Sequence, residues 1–95
     1  MTPKIKICPV AKVASIFSDS WTILIIRDLL SSPMRFSELE RSLDGVSSRT
    51  LSLKLRRLVI EGIISKDDLY YSVTSFGKKL GKVIDAMAKC GKAYI

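Results

Sequence analysis

The chain is 95 residues long, the size of one small domain, and its 47% hydrophobic and 26% charged residues are those of an ordinary globular protein. Sixteen Lys and Arg against nine Asp and Glu leave a net charge of +7, and there is no histidine. That inventory excludes a Ser–His or Cys–His catalytic pair, a His-liganded metal and, with only Cys8 and Cys90, a four-thiolate zinc site; no enzyme activity, catalytic residue, metal or cofactor is expected.

Residues 1–8 read as a flexible arm exposing Lys4 and Lys6. No basic start leads into an apolar signal core, and two cysteines are too few for a disulfide framework, so a cytoplasmic protein is expected. A first helix can begin at Pro9, a favoured first-turn residue, with Val10, Val13, Ala14 and Phe17 on one face. Asp19 or Ser20 caps a second helix in which Trp21, Leu24, Ile25 and Leu29 share a face, Trp21 as a core anchor. Its run Ile23–Ile26 is the longest apolar stretch of the chain, far short of the roughly 18 residues of a spanning helix; no membrane partner is expected.

Met34–Phe36 is a short extended piece, and the Ser-x-x-Glu spacing from Ser37 to Glu40 predicts a capping box and a third short helix to about Leu43. Asp44-Gly45 is a turn. Ser47 caps a fourth helix with Leu51, Leu55, Leu58 and Val59 on one side and Gly62 at its stop. Ile63–Ser65 and Tyr70–Val73 are strand-like, joined across Lys66-Asp67-Asp68-Leu69 as a hairpin, with one of Tyr70 and Tyr71 facing the core and the other solvent. Thr74 caps a last helix carrying Leu80, Val83, Ile84 and Met87 as a stripe. The expected fold is mostly α with a small β-hairpin: one winged helix-turn-helix domain over residues 1–95, with N- and C-terminal dimerisation helices.

Charge is segregated within this order. From Ser47 to Arg57 there are Arg49, Lys54, Arg56 and Arg57 and no acidic residue, whereas the preceding helix and turn hold Glu38, Glu40 and Asp44. Stepping 100° per residue from Leu51 keeps Leu55 and Leu58 within about 40° and turns Arg49, Leu53 and Arg56 to the opposite side. Thr50, Ser52 and Arg57 flank that outer stripe. Arginine forks onto guanine O6 and N7, hydroxyls reach phosphates or base edges, and leucine contacts a thymine methyl. Ser47 and Ser48 open the helix where free backbone N–H groups meet phosphate. Arg49 and Arg56 are the expected base readers, and Lys54, Arg57, Arg35 and Lys66 the expected phosphate contacts. The partner is then double-stranded DNA, read by a recognition helix over 47–61 in the major groove.

The chain resembles the HxlR-type winged-helix regulators, relatives of the MarR family. The residues that carry the resemblance are Cys8-Pro9-Val10, the run Trp21–Leu30, Arg35–Leu39, Gly45–Ser52, Leu55–Leu58, Glu61–Ile64 and Tyr71–Gly77. The resemblance implies a homodimeric transcription regulator that dimerises through its terminal helices and sets its fourth helix in the major groove. It also implies a thiol near Cys8 that senses oxidants or electrophiles in some members. The wing departs from the pattern: Asp67 and Asp68 would repel a phosphate backbone, which argues against insertion into the minor groove.

Apolar content this high in a small chain calls for a subunit contact, expected from Val10, Val13 and Phe17 with Leu80, Val83, Ile84 and Met87. Two-fold symmetry would then give a pseudo-palindromic operator. Cys8 stands just before a helix start with Lys4, Lys6 and Lys12 nearby. It reads either as a redox-sensing thiol of lowered pKa or as an inert residue packed at the dimer contact. Two other readings use the same scaffold. A protein-interaction module predicts no salt-dependent duplex binding, and an RNA-binding protein is opposed by the lack of any aromatic residue on the outer stripe.

Overall fold

Three helices begin where a side chain accepts from a backbone N–H that the helix itself leaves unpaired. Asp19 accepts from Thr22 at 2.9 Å, Ser47 from Thr50 at 3.0 Å and Thr74 from Gly77 at 3.1 Å. The computed structural model describes residues 8–17 and 19–95, so the expected arm lies outside the described residues except for Cys8. The order is α1 (Pro9–Ile16), α2 (Ser20–Ser31), β1 (Met34–Arg35), α3 (Phe36–Ser42), α4 (Ser48–Ile60), β2 (Ile64–Asp67), β3 (Tyr70–Val73) and α5 (Ser75–Tyr94).

The strands form an antiparallel sheet in the order β1-β3-β2. Met34 and Arg35 pair with Tyr71 and Tyr70, and Ile64 to Asp67 pair with Val73 to Tyr70. The ladder runs to Asp67, so the expected four-residue connection shrinks to Asp68-Leu69. Asp68 takes φ +59°, a left-handed conformation that aspartate tolerates in turns.

Ser37 does not cap α3. Pairing of β1 with β3 holds Arg35 extended, and the helix starts two residues before the Ser-x-x-Glu spacing predicts. Glu38 Oε1 accepts from the Arg35 backbone N–H at 2.8 Å and serves that end instead.

The fully buried core lies outside α1, whose Val13 and Ile16 pack against it half-buried. Ile25, Ile26 and Leu29 of α2, Leu39 and Leu43, Leu51, Leu55 and Leu58 of α4, Ile63 and Ile64, and Leu80 and Ile84 of α5 are all buried. α1 buries none of its residues. Two expected faces are corrected here. The inward face of α2 centres on Thr22, Ile25, Ile26 and Leu29, with Trp21 and Leu24 half-buried at its edge. Val59 is exposed, because it lies about 80° around α4 from Leu51. Tyr71 is half-buried and Tyr70 exposed, as strand alternation requires.

A second tie fixes α5 to the end of α4. The Thr74 hydroxyl donates to Gly62 O at 2.6 Å and lies 3.0 Å from Ile63 O. One turn on, a Cβ at Gly77 would stand 2.2 Å from Ile63 O, so the helix approaches the start of β2 more closely than any side chain permits.

Candidate nucleic-acid interface

Burial of Leu51, Leu55 and Leu58 fixes the rotation of α4, and each such side chain stabilises by about 1.5–3 kcal/mol. The opposite side therefore faces outward: Arg49, Leu53 and Arg56 are exposed, Leu53 by 53%. Arg49 and Arg56 form no ion pair among the described residues. Ser52 is exposed beside them and Thr50 half-buried.

The remaining polar groups of the helix are already engaged. Ser47 caps it and donates to the Thr50 hydroxyl at 3.0 Å, and the Ser48 hydroxyl donates to Glu40 of α3. Arg57 Nε lies 2.6 Å from Glu61 one turn on, a pairing legible as an i, i+4 spacing of opposite charge. Lys54, expected on phosphate, instead reaches back into the protein, its Nζ 2.8 Å from Asp19 Oδ2. Partial burial would raise the Asp19 carboxyl. The Lys54 ammonium and the two Thr22 hydrogen bonds outweigh that and hold it below the usual aspartate range. No sequence signal links Asp19 to Lys54.

The sheet adds a second cationic edge. A groove lined by Ser52, Arg56, Val59, Ile60, Lys66 and Tyr71 runs from α4 to the hairpin, and the adjoining hollow is lined by Arg35, Phe36, Ser37, Lys66, Leu69 and Tyr71. Lys66 Nζ stands 5.5 Å from the Tyr71 ring centroid, and Arg35 Cζ 5.8 Å from that of Tyr70. These stacks hold both cations close to the sheet while leaving them exposed. Arg56, Lys66 and Arg35 thus follow one another along one margin, and Asp67, level with Arg35 across Tyr70, leads into Asp68 at the hairpin tip.

The expected dimer residues divide into two sets. Val10, Val13, Phe17 and Val83 line one open groove with Pro9 and Ala14, and every lining residue is apolar. Met87 is exposed one turn beyond Val83. Leu80 and Ile84, assigned to the same contact from sequence, belong to the protomer's own core, 3% and 9% exposed. The half of the stripe nearest α2 is used internally, and Val83 and Met87 on the other half are exposed. Cys8 is free and exposed at the N-cap position of α1, and Cys90 is free and exposed on α5. Among the described residues no cluster of His, Cys, Asp or Glu could hold a metal, and no single helix is long and apolar enough to cross a membrane.

Comparison with known proteins agrees with this geometry. The sequence profile described as HxlR-like helix-turn-helix matches residues 16–95. The HTH-type transcriptional regulator sll1512 of Synechocystis sp. is 34% identical over 94% of this chain and 71% of its own length. A solved structure from Porphyromonas gingivalis, assigned to the MarR family of transcriptional regulators, superposes with a TM-score of 0.90 at 32% identity over 100% of both chains. The quinone-bound structure of YodB from Bacillus subtilis superposes with a TM-score of 0.82 at 28% identity, covering 90% of this chain and 99% of that one. The relatives are named as regulators and not as enzymes. The winged core, its outward arginine-bearing helix and these matches place the chain in the HxlR-like helix-turn-helix family of transcriptional regulators.

Proposed function

We propose that the protein is a sequence-specific, double-stranded-DNA-binding regulator that acts as a homodimer and sets α4 in the major groove. The observation that carries this reading is the outward stripe of Arg49, Leu53 and Arg56, with two guanidinium groups exposed and unpaired among the described residues. A major groove admits a helix and presents guanine edges to such groups. Ser47, Ser48, Thr50 and Ser52 surround the stripe at the helix start, where backbone N–H groups meet phosphate. Arg35 and Lys66 extend it as phosphate contacts along the hairpin margin, and Arg57 reaches phosphate by leaving Glu61. The acidic hairpin tip keeps the wing outside the minor groove.

The apolar groove of Val10, Val13, Phe17 and Val83 supports the dimer. It carries no charge and exposes Val10 by 77%, and a second copy covers it with the same residues around a two-fold axis. The two recognition helices then stand about 34 Å apart, one turn of DNA, over a pseudo-palindromic operator. Cys8 opens α1 beside this groove. The quinone bound by YodB supports the reactive-thiol reading, with an electrophile as the effector class.

The experiment is a footprint of the purified protein on the DNA upstream of its own gene. The expected result is one protected region with two-fold symmetry whose occupancy falls as salt rises. Lack of protection of any duplex at low salt would favour the protein-interaction module instead.

A further inference from the structure

We propose that α4 reads a half-site containing two guanines two to three base steps apart with a thymine between them. The inference rests on the duplex-DNA reading above and gives that reading a sequence. Exposed leucines are ordinary on protein surfaces. Leu53 is informative because it lies between Arg49 and Arg56 on one stripe, at spacings i, i+4 and i+7, and these two are the cations of the helix that form no ion pair among the described residues. Lys54 is held by Asp19 and Arg57 by Glu61, and the Ser48 hydroxyl is held by Glu40.

Seven residues of helix advance about 10.5 Å and four advance about 6 Å. Stacked base pairs repeat about every 3.4 Å. The two guanidinium groups therefore meet bases two to three steps apart, and Leu53 falls on an intervening pair. A guanidinium forks onto guanine O6 and N7, which no other base presents as two adjacent acceptors. A leucine packs on the 5-methyl group of thymine, whereas against cytosine it would bury an amino donor without a partner. The order of side chains on the stripe thus fixes the order of bases.

The test is selection of duplexes from a randomised pool by the full chain, followed by titration of the selected duplex. The expected site carries the guanine–thymine–guanine pattern. Arg49→Ala and Arg56→Ala each lose preference at one guanine and weaken the matched duplex by about 5- to 150-fold. Replacing the thymine by uracil, which removes only the methyl group, weakens the unmodified protein and leaves Leu53→Ala unaffected. Circular dichroism checks that these exposed substitutions leave the fold intact. A tight, salt-sensitive site without the pattern, or an equal response of both proteins to uracil, overturns this inference and leaves the duplex-DNA reading standing. Failure to bind any duplex overturns both.

Discussion

Lys54 Nζ lies 2.8 Å from Asp19 Oδ2, so a lysine in the middle of α4 is paired with the N-cap of α2 across 35 positions of sequence. Asp19 also accepts from the Thr22 backbone N–H and hydroxyl, and its three partners fix both the helix start and the lysine. The pair fastens the outward helix to the start of α2. Held there, Lys54 is expected to serve position and not phosphate. Lys54→Ala is expected to cost about 0.5–1 kcal/mol of stability, the range of a partly exposed pair. It should leave the slope of log affinity against log salt unchanged, while Lys66→Ala flattens that slope by about 0.9. Salt titrations of the two variants on one duplex check this.

The same carboxylate makes stability depend on acid. Its folded pKa is lowered, so its contribution is fully present above the unfolded value near 3.9 and is lost as pH falls through the lower folded value. Urea midpoints measured from pH 7 to pH 2.5 should drop more steeply below about pH 4 for the unmodified protein than for Asp19→Asn. Equal curves would remove Asp19 from the account.

Gly77 is where α5 passes closest to the rest of the domain. A Cβ there would meet Ile63 O at 2.2 Å, with Val73 Cβ at 3.2 Å. Both neighbours are anchored, one as backbone and one as a strand residue, and neither can swing aside. Gly77→Ala should therefore destabilise by about 1–3 kcal/mol even though alanine favours helix. Gly91→Ala, which meets no heavy atom within 4 Å, should stabilise slightly. Thermal unfolding of both variants separates crowding from propensity.

The stripe of α5 predicts two different responses to substitution. Leu80→Ala removes a core side chain and should cost about 2–5 kcal/mol. Val83→Asp places a charge in the apolar groove without touching the core. It should yield a folded monomer, read by sedimentation velocity beside circular dichroism. A Val83→Asp protein that stays dimeric would move the subunit contact elsewhere.

What the sequence carried legibly was local. Ser47, Asp19 and Thr74 lie three residues from the amides they cap, and the outward turn of Arg49, Leu53 and Arg56 follows from the leucine period on the same helix. Contacts between distant segments left no such trace. Asp19 and Lys54 share no spacing rule, and Glu40 reaches Ser48 only after the Asp44-Gly45 turn folds back. Leu80 and Val83 look alike in an amphipathic stripe, and only the placement of α2 against α5 sends one inward and leaves the other exposed. The start of α3 was displaced by a strand pairing that a two-residue segment cannot announce.

Contact between the outer stripe of α4 and DNA is open to direct test. Its most direct measurement is the affinity of the selected duplex for the unmodified protein and for the double variant Arg49→Ala/Arg56→Ala, at one salt concentration and with circular dichroism confirming the fold. The expected loss is about 2–6 kcal/mol, the sum of two base-reading contacts. Unchanged affinity in a folded double variant would contradict it.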